Sequence, residues 1–214
     1  MAKRIACAGP LWSVLALLAV VCVAVVLGGC KKEEGEEPSG EGKIAGKKVV
    51  MVIASQGFRD EEYSEPKSLI EKAGGKVVAA SSSLEPAKGT RGKTVKPDVL
   101  LKDVKADDFD AVVFVGGAGA AEYWEDATAH SLAKDAARKG KLVCAICIAP
   151  VTLANAGVLD GKKATVWKSE ASKLEAKGAK YTGKDVQVDG KIITASGPPA
   201  SVAFGKEIVR ALSK

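Results

Sequence analysis

The chain has 214 residues, 47% of them hydrophobic and 27% charged, a composition ordinary for a globular protein and enough for one domain plus accessory segments. Aromatic residues are scarce at 5%, and the net charge of +6 comes from lysines that are scattered rather than striped. No helix-turn-helix, RNP or zinc-finger pattern accompanies them, which excludes a nucleic-acid partner and leaves a solvated basic surface, with mild attraction to anionic membranes still open.

Residues 1–29 read as an export signal. Lys3 and Arg4 form a charged start, and Leu11 to Leu27 is an almost unbroken apolar run, slightly shorter than the ~20 residues a spanning helix usually needs. Leu27-Gly28-Gly29-Cys30 resembles the lipobox of bacterial lipoproteins. That resemblance implies cleavage before Cys30 and acylation of this cysteine, palmitate included. Several acyl chains anchor stably where one binds reversibly. An uncleaved anchor helix is the alternative. Either way the domain is expected to be tethered to a membrane outside the cytoplasm, on the periplasmic face of the cell envelope. Lys31 stands where inner-membrane lipoproteins usually carry aspartate, which points toward the outer membrane. Cys30 and the residues to 46 read as a lipidated cysteine and polar linker; within it KKEEGEEPSGEG (31–42) has no apolar side chain and is expected to be disordered.

Residues 47–214 read as one domain. KVVMVIA (48–54) suits a buried central strand. The loop SQGFRD leads to a helix over about 61–73, closed by Gly74-Gly75. KVVAAS (76–81) is strand-like, 84–98 hairpin-like, and DAVVFV (110–115) a second buried strand ending in Gly116-Gly117. A helix over about 125–138, a strand over 141–146, a strand over 163–166, a polar helix near 169–177, a hairpin over 186–196 and a final helix over about 200–212 complete the pattern. Strands alternating with helices through short loops predict an α/β fold: a doubly wound, mostly parallel sheet with helices on both faces, a flavodoxin-like three-layer sandwich. Ligands bind such sheets beyond the carboxyl ends of the strands, so the loop to Glu62, the glycines at 116–117 and Cys147 are expected to meet at one edge.

LVCAICIAP (142–150) is the stretch that bears chemistry. Its apolar run ends at Cys147, and a turn of small residues leads into helix-like VTLANAG. Strand, sharp turn and helix lift a nucleophile above the sheet edge, and a helix start offers N–H groups that favour thiolate over thiol. A buried structural cysteine fits the same local sequence.

AIC-x-x-P (145–150), LANAGVLDGKKAT (153–165), FDAVVFVGG (109–117) and SGPPAS (196–201), in this order, resemble the DJ-1/PfpI family over Lys47 to Leu212, the last motif nearer the deglycase branch than the protease branch. The resemblance implies that Cys147 is a nucleophile on a strained elbow. It implies that Glu62, four residues before Pro66, is a protonated acid donating a hydrogen bond to the thiolate. Alone, Glu62 reads more readily as an ordinary first-turn glutamate. Gly116, Gly117 and the Ile148 amide would bind a substrate oxyanion, with Trp167 as a pocket roof. No cofactor and no metal are expected; a homodimer is, with a small carbonyl compound or client proteins as the partners of the site.

The chain also departs from the family. Ile148 follows the nucleophile where the protease branch has histidine, and Val166-Trp167-Lys168 replaces a loop histidine of the deglycase branch. The one histidine, His130, falls in a predicted surface helix. Cys144 and Cys147 form a C-x-x-C that suggests redox pairing, but Cys144 falls inside the strand. Three activities fit: a glyoxalase- or deglycase-type enzyme consuming reactive carbonyls, a redox-responsive or chaperone-like protein without turnover, and a PfpI-type cysteine peptidase or hydrolase, which Ile148 disfavours.

Overall fold

The apolar runs become strands because a parallel sheet covered on both faces buries every side chain it carries. The computed structural model describes residues 42–214; the signal segment, Cys30 and the linker to residue 41 lie outside them. The elements are β1 (Lys48–Val52), β2 (Gln56–Phe58), α1 (Asp60–Lys72), β3 (Lys76–Ser81), β4 (Ala87–Gly89), β5 (Thr94–Val95), β6 (Val99–Leu100), β7 (Ala111–Phe114), α2 (Ala127–Arg138), β8 (Leu142–Ile146), α3 (Pro150–Asn155), β9 (Lys163–Ala164), α4 (Ala171–Glu175), β10 (Lys180–Tyr181), β11 (Val186–Asp189), β12 (Ile192–Ala195) and α5 (Ser201–Leu212).

Seven strands form the main sheet in the order β11-β12-β8-β7-β1-β3-β6. All its pairings are parallel except the β11–β12 hairpin, which turns at Asp189-Gly190 as the sequence predicts. Strand alternation divides the core. Val50, Val52, Val112, Phe114 and Val143 face the α2–α3 layer with Leu132, Val151 and Leu153. Val49, Met51, Val113, Cys144 and Ile146 face the α1–α5 layer with Tyr63, Ile70, Phe204 and Ile208. The order of strands reverses at β1, so the loops after β1 and β7 open a crevice between them, as doubly wound sheets require.

The structure revises several expectations. The hairpin expected at 84–98 is present as the antiparallel β4–β5 pair, but β4 also pairs with β2, which makes a separate three-stranded sheet. The strand expected over 163–166 is only Lys163–Ala164, paired with β10, and the helix expected near 169–177 is a 3-10 turn followed by the five-residue α4. Both segments lack the apolar periodicity needed for longer elements. Residues 43–46, read as the end of the linker, pack against the domain: Ile44 is 2% exposed, and its N–H donates to the Ala73 carbonyl at 3.0 Å.

Pro66 lies inside α1, where it cannot supply the N–H that would bond the Glu62 carbonyl. Its backbone faces Gly205 of α5, where an added Cβ would stand 2.9 Å from the Pro66 Cα and 2.8 Å from the Leu69 Cδ1. That glycine lets α5 lie close on the helix that carries Glu62. Gly205→Val is therefore expected to destabilise the fold by about 1–3 kcal/mol through overpacking, read as a lowered thermal midpoint. An unchanged midpoint would contradict the close packing of the two helices.

Candidate functional site

Cys147 stands just beyond β8 with φ 62°, the one non-glycine residue among those described in the left-handed region. Such a conformation costs on the order of 1–3 kcal/mol and needs surrounding structure to hold it. The Cys147 N–H donates to the Ala195 carbonyl at 3.0 Å, and its own carbonyl accepts from the Trp167 N–H at 2.8 Å. The conformation also changes which way the side chain faces. Alternation along β8 puts Ile146 on the α1–α5 side and would send residue 147 to the other; instead Cys147 packs on the same side as Ile146. That is the side on which α1 delivers Glu62.

Three consecutive acids open α1, and each does something different. The Asp60 carboxylate accepts the N–H groups of Arg91 (2.9 Å) and Lys93 (2.7 Å), fastening the β4–β5 loop. Burial works against its charge, but those N–H groups hold its carboxyl below the usual range. Glu61 pairs with Arg59 (2.9 Å) and Arg91 (2.8 Å). Glu62 turns inward and is fully buried. Neither of its carboxyl oxygens has a conventional hydrogen-bond partner; the groups acting on them are the Cys147 thiol and the Gly116 N–H. Gly116 separates the two side chains: a Cβ there would lie 2.5 Å from both the Cys147 Cβ and a Glu62 oxygen. The approach of acid to thiol thus requires glycine at 116.

Burial raises the Glu62 carboxyl to about 7, against the pull of the Cys147 thiol, the Gly116 N–H and Arg59. Burial also pushes the Cys147 thiol up, to about 12; a negative Glu62 adds to the rise, while the N–H groups of Gly117 and Ile148 oppose it. The expected depression of the thiol is therefore absent when Glu62 is ionised. Acid and thiol titrate as a pair. While Glu62 keeps its proton it exerts no repulsion, and its O–H is placed to donate to the sulfur. The expected help from a helix start is small, because α3 has six residues and begins at Pro150, which has no N–H. The Gly117 and Ile148 amides, which have no backbone acceptor, take that role.

Of the remaining residues singled out in the sequence, Trp167 is 46% exposed and packs over Gly197, where a Cβ would meet its ring at 2.7 Å. It is joined to the site through its backbone. Cys144 is fully buried with its thiol raised by burial, and both it and Cys147 are free thiols. His130 is half-buried rather than solvent-facing, with Nε2 2.7 Å from the Trp124 carbonyl. Two participants have no signal in the sequence. The Arg59 N–H donates to the Gly116 carbonyl at 2.9 Å, and the Trp124 indole N–H donates to the Ile148 carbonyl at 3.1 Å. Both contacts come from tertiary packing rather than local spacing.

A parallel sheet with a cysteine elbow after one central strand, a buried glutamate after another and a glycine pair between them defines a known class. Residues 47–211 match the DJ-1/PfpI family, and the chain belongs to it. It is 42% identical over 170 residues to an uncharacterised protein of Methanocaldococcus jannaschii, covering 78% of this chain and 83% of that one. Relatives near 30% identity have named activities. A glutathione-independent glyoxalase of Caenorhabditis elegans is 30% identical (78% of this chain, 90% of the relative), and a deglycase of Thermococcus kodakarensis is 31% identical (76% and 98%). Among solved structures, a ThiJ/PfpI domain protein from Brachyspira murdochii superposes with TM-score 0.76 at 36% identity, over 78% of this chain and 98% of that one.

Proposed function

We propose that this chain is a membrane-tethered DJ-1/PfpI protein that consumes reactive carbonyl compounds through Cys147. The observation that carries the reading is the buried, otherwise unpartnered Glu62 set across Gly116 from the Cys147 thiol. The sulfur adds to the carbonyl carbon of a small aldehyde or dicarbonyl. The carbonyl oxygen takes up the negative charge and is held by the Gly117 and Ile148 N–H groups. Glu62 gives a proton to that oxygen and is then free, as carboxylate, to move a carbon-bound proton within the adduct. Trp167 borders the entrance. The glyoxalase and deglycase names of relatives near 30% identity support the substrate class. Cys147→Ser is expected to reduce methylglyoxal consumption by at least about a hundredfold, measured on purified protein; a variant as active as the parent would refute the reading.

A second reading, a redox-responsive or chaperone-like protein without turnover, has one observation in its favour. The described residues contain a single imidazole, His130, and it is engaged with the Trp124 carbonyl. Suppression of client aggregation without carbonyl consumption would select it. A peptidase mechanism lacks a base beside the sulfur, since Ile148 follows Cys147.

The tether is read from Leu11–Leu27 and Cys30. Loss of the protein from the membrane fraction in Cys30→Ala, with loss of its acyl chains by mass spectrometry, is the expected result. Family resemblance supports a homodimer, and sedimentation at a monomer mass would refute it.

A further inference from the structure

The end of the sheet opposite Cys147 carries a row of lysines. Register pairs Lys48 of β1 with Lys76 of β3, and the Lys76 N–H donates to the Lys47 carbonyl at 2.8 Å. Across the neighbouring strands the Asp110 N–H donates to the Lys48 carbonyl (2.8 Å), the Leu142 N–H to the Asp110 carbonyl (3.0 Å) and the Val143 N–H to the Lys191 carbonyl (2.9 Å). Lys141 therefore marks the start of β8, and Lys191 that of β12. With neighbouring strands ~4.8 Å apart, the row from β3 to β12 is about 19 Å long.

At this end Lys47, Lys141, Lys191 and Lys214 line a cavity of about 190 Å³ whose one acid is Asp110. Asp110 is held by Lys47 at 3.1 Å and by the Lys48 N–H at 2.9 Å, with Lys141 acting on it through space. Lys141, Lys191 and Lys214 make no ion pair among the described residues. On the α2 side, Asp107 and Asp135 are taken up by Lys139. Lys48, Lys76, Lys191 and Lys214 are exposed, and Lys141 is half-buried.

The polypeptide enters at this same end. Residues 42–46 form a turn below β1, with the Ile44 N–H on the Ala73 carbonyl. Twelve residue steps separate Cys30 from Gly42, a length of chain that reaches no further than about 40 Å. A lipid on Cys30 would hold the lysine row within that reach of a bilayer.

We propose that this edge of the sheet docks on anionic phospholipid headgroups, leaving the Cys147 edge turned away from the membrane. The proposal rests on reading Cys30 as the anchor. Lysine ammonium groups gain attraction near an anionic leaflet, and the gain fades within a Debye length of about 8 Å. The other candidate occupant is the linker itself, with glutamates at 33, 34, 36, 37 and 41. The described chain begins at Gly42, against Gly74 ahead of β3, three strands from Lys141 at β8 and four from Lys191 at β12.

The domain can be tested apart from its tether, because this fold accounts for 98% of the length of the Thermococcus relative. Residues 42–214 are expected to co-sediment with vesicles of phosphatidylglycerol and phosphatidylethanolamine and not with phosphatidylcholine vesicles. Lys141→Glu, Lys191→Glu and Lys214→Glu together are expected to weaken that binding at least tenfold. The same reversal at Lys88, Lys96 and Lys168, exposed lysines toward the carboxyl edge, is expected to leave most of it. Equal loss in both triple variants, or no preference for anionic vesicles, would overturn the proposal. So would binding by 42–214 that disappears in 31–214, since the acidic linker would then be the occupant. Membrane release of full-length Cys30→Ala in cells reads the anchor separately, so failure of the anchor and failure of the docking face can be told apart.

Discussion

Gly116→Ala is expected to disconnect the acid from the thiol without removing either group. The added methyl would stand 2.5 Å from the Cys147 Cβ and from a Glu62 oxygen, and 2.7 Å from the Ile146 carbonyl. No side chain at the neck of the site can be accommodated without moving one of the three. Backbone on one side and a strained elbow on the other leave Glu62 as the group free to shift. The fold is expected to lose about 1–3 kcal/mol, the usual cost of overpacking. Alkylation of Cys147 at neutral pH is expected to slow by about tenfold or more, the equivalent of about one pKa unit. A variant with parental stability and parental alkylation would mean that the contact across Gly116 does not matter.

Glu62→Gln is expected to stabilise the protein above neutral pH. In the unfolded chain the carboxyl ionises at its ordinary 4.5, whereas in the fold burial raises it to about 7. Between these values the native state holds the proton more tightly, so native stability falls as pH rises. The fold suffers no penalty below 4.5 and the whole penalty above about 7, on the order of 3 kcal/mol. The amide has no such ionisation. Thermal midpoints of the two proteins are therefore expected to coincide near pH 4 and to separate through the window between 4.5 and about 7, with the variant higher at the alkaline end. A variant that is less stable at pH 8 would show that the single negative charge of the Glu62–Cys147 pair is compensated by contacts absent from this structure.

The main sheet was legible because its strands are continuous apolar runs bounded by glycine, as at Lys48–Val52, Ala111–Phe114 and Leu142–Ile146. In the small sheet the β4–β5 hairpin was legible, but its pairing with β2 was not. Its strands are two or three residues long, and the Asp60 carboxylate that grips the β4–β5 loop acts from more than thirty positions away. At the site, Cys147 and Glu62 could be named from their motifs, and the structure does place them together across Gly116. Two things were hidden. The positive φ that turns Cys147 onto the Glu62 side contradicts simple alternation and leaves no trace in composition. The balance between burial and hydrogen bonding at the sulfur depends on how deeply the elbow sits, with Cys147 8% exposed, which a helix-start argument does not supply. Trp124 leaves no local signal because its contact with the Ile148 carbonyl joins residues 24 positions apart.

Near neutral pH the proton shared by this pair is expected to rest on Glu62 and the charge on Cys147. The pH dependence of Cys147 alkylation, resolved from Cys144 by peptide mass spectrometry and repeated in Glu62→Gln, tests it most directly. The thiol is expected to give up its proton while Glu62 keeps its own, so that alkylation reports the thiolate. The midpoint should then lie well below the ordinary free-thiol value of about 8.5 and rise in the variant, which lacks the carboxyl proton donor. Charge on the carboxylate instead would leave the thiol buried beside an anion, with its midpoint displaced toward about 12. Glu62→Gln would then lower that midpoint by removing the repulsion, and this result would contradict the account.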